Sequence, residues 1–125
     1  MITEKDPRVQ TTSPYTEEFH KTIHKAFQTI KTNIKQYTEY EWGMDRVQKH
    51  KIIQAFDQII QEQGGFELDA RTLRHANGIG NNSEYDVVDK DLIKVGTFYC
   101  NNDMFGGVYT GATLNGETIE KYHLR

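Results

Sequence analysis

The rhythm of apolar residues along this chain changes once, at Gly64-Gly65. Before that point hydrophobic side chains recur every three to four residues; after it they alternate with polar ones. A period near 3.6 buries one stripe of a helix, and a period of 2 buries one face of a strand. A chain that shows first one and then the other is expected to fold as α+β, helices first and strands second.

Tyr15, Phe19, Ile23, Ala26, Phe27, Ile30, Ile34 and Tyr37 keep helical spacing, with Lys21, Lys25, Gln28, Lys31, Asn33 and Lys35 between them. This predicts one long amphipathic helix. Ser13-Pro14 supplies its start, with Ser13 as N-cap and Pro14 where a missing N–H costs nothing. Glu17 and Glu18 suit the positive end of the helix dipole. Gly43 is a natural residue just past its end, Trp42 packs at the elbow, and Asp45 caps a second helix. That helix carries Met44, Val47, Ile52, Ile53, Phe56, Ile59 and Ile60. So short a connection makes the two run antiparallel, as a helical hairpin over 13–64. Residues 1–12 mix charges with Thr and Pro and are expected to form a flexible or draped arm.

Strand signals fill 66–124. Phe66, Leu68 and Ala70 alternate with charged residues, Tyr85–Val88 reads as a short strand, and Leu92–Cys100 as a longer one. Val108–Leu114 and Thr118–Leu124 flank Asn115-Gly116, a pair suited to a two-residue turn with both φ positive. A regular ladder around that turn pairs Leu114 with Glu117, Ala112 with Ile119, and Tyr109 with Tyr122. Val108, Ala112, Leu114 and Ile119 then face the helices, and Tyr109 and Tyr122 lie side by side on the other face. The expected architecture is an antiparallel helical hairpin on one face of a C-terminal antiparallel sheet of about four strands, 13–125 forming one domain.

At 125 residues, one core is expected. Seven Tyr, six Phe and one Trp argue against disorder. The lone Cys100 allows no intrachain disulfide and favours a reducing compartment. No run approaches the roughly 18 apolar residues of a membrane span, and Met1–Val9 carries no secretory core, so a cytoplasmic protein without membrane partners is expected. The net charge of −3 belongs to the second half. Residues 1–64 hold nine basic and nine acidic side chains, and 65–125 hold six and nine.

No cofactor or metal signature is present. His20 and His24, with Glu17 a turn earlier, have ligand spacing but no visible further ligand; a solvated helix face is the ordinary reading. The His75–Asn82 loop has a Gly78-x-Gly80 core of the kind that wraps an anion with backbone N–H groups, but no helix signal follows it and it lacks the third glycine or the Lys-Ser/Thr of a phosphate site; a connecting loop is the ordinary reading. Cys100 with His75 or His123 offers a nucleophile and base only in the sense that many chains do. Glu84, Asp86, Asp89 and Asp91 lack the glycine and closing glutamate of a Ca²⁺ loop. They read as edge protection and as a negative patch for a basic partner.

Tyr and Met mark protein interfaces, and Tyr99, Met104, Phe105, Tyr109 and Tyr122 cluster around the last hairpins. The function expected from these features is non-enzymatic binding to a larger protein with a basic surface, through those residues together with Asp86, Asp89 and Asp91. The helical pair serves as scaffold or dimer face. In size and lack of chemistry the chain resembles small inhibitors and accessory proteins of phages and plasmids, anti-CRISPR proteins among them, a likeness that rests on no motif. The alternatives are nucleic-acid binding by Lys21, Lys25, Lys31 and Lys35 along the first helix, and a small enzyme.

Overall fold

The computed structural model describes residues 13–38, 45–74, 82–102 and 107–124. The expected arm 1–12, the elbow with Trp42, Gly43 and Met44, the loop 75–81, and Met104 and Phe105 lie outside the described residues. The elements are α1 (Thr16–Thr32), α2 (Lys35–Thr38), α3 (Asp45–Gly64), β1 (Glu67–Arg74), β2 (Asn82–Val88), β3 (Lys94–Asn102), β4 (Val108–Leu114) and β5 (Glu117–Leu124). The strands form one antiparallel sheet in the order β1-β2-β3-β4-β5. Helices followed by an antiparallel sheet match the expected class; the sheet has five strands where about four were expected.

The long first helix is interrupted. α1 ends at Thr32, and Asn33 takes its side-chain amide back to the Thr29 carbonyl at 3.0 Å. The N–H groups of Ile34, Gln36 and Tyr37 then bond three residues back rather than four. Asparagine competes locally for backbone groups, which is why the apolar rhythm runs on while the helix does not. The start also moves. The first helical residue is Thr16, and Ser13 accepts the Tyr15 N–H at 3.1 Å instead of capping the helix itself.

α1 buries Phe19, Thr22, Ile23, Ala26, Phe27 and Ile30. It runs against α3 so that Thr22 meets the far end of α3 and Phe27 meets its middle. A Cβ on Gly64 would lie 2.6 Å from Thr22 Oγ1, and the Phe27 and Phe56 rings are 5.0 Å apart. These contacts make α1 and α3 antiparallel, a rough match to the expected hairpin because α2 and residues 39–44 intervene. Gly65, at φ +72, ends α3, and the Gly65 and Phe66 N–H groups reach back to Gln61 and Ile60.

Both helices press on the same side of the sheet. Phe56 stacks on Phe98 of β3 at 4.0 Å, Phe27 lies 6.2 Å from the same ring, and Phe19 sits where a Gly96 side chain would be. Phe98, Cys100, Val108, Thr110 and Ala112 are fully buried beneath them. Burial of such rings is the main stabilising term of a core this size.

Two ladder irregularities decide what each strand shows. In β1, Asp69 pairs with Asp86 but Arg74 pairs with Glu84, so residues 70–73 oppose Tyr85 alone. Alternation therefore stops after Leu68, and Ala70, expected inward, is exposed. In the β4–β5 hairpin the Asn115-Gly116 turn forms with φ of 53° and 80° and sets Leu114 against Glu117, as expected. Thr113 then pairs with Thr118, but Ala112 pairs with Glu120, leaving Ile119 as the extra residue of a bulge.

Candidate functional site on the uncovered sheet face

Beyond the bulge every β5 residue changes face, because a one-residue slip inverts a period of 2. Tyr109 pairs with His123, and Tyr122 pairs with the buried Thr110. The expected Tyr109–Tyr122 pair does not exist. Tyr122 belongs to the helix side, its ring 5.0 Å from Phe27. Its hydroxyl donates to Glu120 at 2.5 Å and accepts from Gln28 at 3.0 Å, while His24 reaches the same Glu120 oxygen at 3.0 Å. Burial, and then the Glu120 carboxylate, push the Tyr122 phenol above its usual range. Turning this ring onto Phe27 hides apolar area worth on the order of 2 kcal/mol, an incentive that a straight ladder lacks.

Among the described residues, no element packs on the opposite face of the sheet. The registers lay its side chains out in rows across the strands. One row runs Asn101, Tyr109, His123. The next runs Glu84, Tyr99, Gly111, Lys121. The third runs Asp86, Thr97, Thr113, Thr118. The Tyr109 and His123 rings stack at 4.2 Å and 14° from parallel, and Tyr109 is 43% exposed. Tyr99 reaches across Gly111: a Cβ there would lie 2.7 Å from the tyrosine hydroxyl oxygen and 2.8 Å from Cζ. The ring covers bare backbone, and its partial burial raises the phenol's pKa. Thr97 and Thr113 join their hydroxyls at 2.5 Å.

The acids do not form one open patch. Asp86 is held by Arg74 at 3.0 Å and Lys94 at 3.4 Å, and Arg74 also holds Glu84 at 2.7 Å. Burial works against the Arg74 guanidinium, but these two carboxylates outweigh it and raise its pKa. Asp89, expected on the surface, is 2% exposed and organises the β2–β3 turn. Its Oδ1 accepts the Asp91 and Ile93 N–H groups at 2.8 and 3.1 Å, and its Oδ2 accepts the Ser13 hydroxyl at 2.6 Å. Burial alone would raise this carboxyl; the donors from Ser13, Ile93 and Asp91 prevail and lower it. Asp91 is exposed. The charges that motivated a basic partner are thus largely absorbed by the fold.

Lys21, Lys25, Lys31 and Lys35 are exposed along α1 and α2, with Glu17 and Glu18 in the same first stretch. His20 is exposed, and His24 is engaged with Glu120 across the helix–sheet seam. Cys100 lies on the helix side with its thiol pushed up to about 12 by burial, while His123 lies on the opposite face, so the two do not meet. His75 falls outside the described residues. No helix among the described residues is long and apolar enough to cross a membrane.

Sequence reasoning missed His123 as an aromatic neighbour of Tyr109, the Tyr99 cover over Gly111, and Lys49. The last is 6% exposed and donates to Ser83 at 3.0 Å inside the core. A glycine within an otherwise regular strand was the one signal available for the Tyr99 platform. Compared with known protein families, curated proteins and solved structures, the chain matches none.

Proposed function

We propose that this protein is a non-enzymatic protein-binding module that docks through the uncovered sheet face, with Tyr99, Tyr109 and His123 as its anchors. The observation that carries the reading is an exposed aromatic strip standing on a rigid five-stranded ladder whose other face is the core. Such rings offer large contact area at little entropic cost, and the exposed Thr118 and Lys121 side chains in the adjoining rows supply adaptable hydrogen bonds. Blocking a surface of a larger protein needs no more than this. Because Glu84 and Asp86 are already paired, the reading rests on shape and aromatic contact rather than on charge steering.

A photo-crosslinking residue placed at Tyr109 in cells of the native source should yield one discrete protein adduct, and the same residue at Lys25 on α1 should yield none. Purified wild-type protein should compete the adduct away, and a folded Tyr109→Ala/His123→Ala variant should not. An adduct from Lys25 alone would overturn the reading. So would a salt-sensitive nucleic-acid gel shift abolished by Lys→Glu at positions 21, 25, 31 and 35, which would move function to the helix flank.

A further inference from the structure

The two turns at the Thr97–Thr113 end of the sheet meet the same backbone demand in opposite ways. At the β4–β5 turn the positive φ values fall on Asn115 and Gly116, which tolerate them. At the β2–β3 turn the positive φ, +65°, falls on Leu92. A left-handed leucine crowds its Cβ against the following carbonyl. Leu92 gains no burial in exchange: at 68% it is the most exposed large hydrophobic side chain among the described residues.

The mount beneath it is rigid. The Leu92 N–H donates to the Asp89 carbonyl at 2.9 Å, and the Asp89 N–H donates to the Ile93 carbonyl at 2.9 Å. The Asp89 carboxylate takes the Asp91 and Ile93 N–H groups on one oxygen and the Ser13 hydroxyl on the other. Ser13 and Asp89 are 3% and 2% exposed, so the turn is bolted to the segment that leads into α1. Lys90 reaches over the Tyr15 ring at 4.8 Å, and Asp91 is the exposed carboxylate beside the leucine. An apolar side chain is therefore both conformationally strained and held out to water by a preorganised frame. Strain that local structure over-determines in this way marks positions kept for function.

We infer that Leu92 is a preorganised anchor that inserts into an apolar socket on the partner protein, with a cation at the socket rim facing Asp91. This rests on the protein-binding reading and deepens it. The turn stands at the Thr97–Thr113 end of the uncovered face and the Tyr109–His123 stack at the other, so a partner spanning the face engages both.

Two measurements test the anchor. Leu92→Gly and Leu92→Asn should each raise the melting temperature, by about 2 to 5 °C, because the strain is relieved and no buried contact is lost. A diazirine-bearing leucine analogue at position 92, in cells of the native source, should give one discrete adduct that the same analogue at the exposed Leu73 does not give. Excess wild-type protein should suppress that adduct at least about tenfold better than Leu92→Asn protein. An unchanged or lower melting temperature, no adduct at 92, an adduct of twice the chain's own mass, or equal suppression by the two competitors each overturns the anchor. Adducts from Tyr109 without Leu92 sink the anchor and leave the face reading standing; adducts from Leu92 without Tyr109 do the reverse.

Discussion

Tyr99 of β3 lies over Gly111 of β4, filling the space a side chain there would occupy, while the Glu120 carbonyl closes the same position from β5. Glycine is required at 111 by this close approach, with no positive φ involved. Gly111→Ala should therefore destabilise the fold by about 2–3 kcal/mol, since backbone and ring must both shift. Urea unfolding checks it; a loss below half a kcal/mol would mean that the tyrosine does not cover the strand.

Tyr122 should behave as a core residue in spite of its place in an edge strand. Tyr122→Phe removes the links to Glu120 and Gln28 and should cost about 1 kcal/mol, whereas Tyr122→Ala opens a cavity against Phe27 and should cost about 3 kcal/mol or more. Tyr109→Ala should stay within about 1 kcal/mol of wild type, because the ring is largely outside the core. Thermal unfolding of the three variants separates the bulged register from the straight one, which leaves both tyrosines on the open face and therefore requires similar, small losses for the two alanine variants.

The Asp89 carboxyl is held below the 3.8 of a free aspartate by its donors. The folded state therefore binds this proton less readily than the unfolded chain. The linked stability is fully present above pH 3.8 and is lost as pH falls from there through the folded value. Asp89→Asn should lower stability at neutral pH by about 1–3 kcal/mol and flatten the acid limb of the stability curve. An acid limb identical to wild type would show that the carboxylate does not organise the turn.

Cys100, pushed up to about 12 from 9.0 by burial, should be inert at pH 8 toward a chromogenic disulfide reagent and react fully once the chain is unfolded. Here the folded pKa is raised, so the linked stability is complete below pH 9.0 and is lost as pH climbs toward about 12. Rapid labelling of the native protein would contradict the buried position.

Much of the frame was legible in residue order. The switch of period at Gly64-Gly65 placed helices before strands, and Asn115-Gly116 named a turn type that formed, because both signals depend on local sterics and on which side chains water rejects. The break at Asn33 was less legible, since the apolar stripe continues across it. The tertiary structure alone decided which side chains share the uncovered sheet face. Ile119 is absorbed as a bulge because that slip carries Tyr122 onto Phe27, and no local pattern on β5 encodes where Phe27 will stand. The same holds for Asp86 and Asp89, whose roles were set by Arg74, Lys94 and Ser13 arriving from elsewhere. Period and turn chemistry act over a few residues; register and ion pairing depend on what a distant segment brings to the other side.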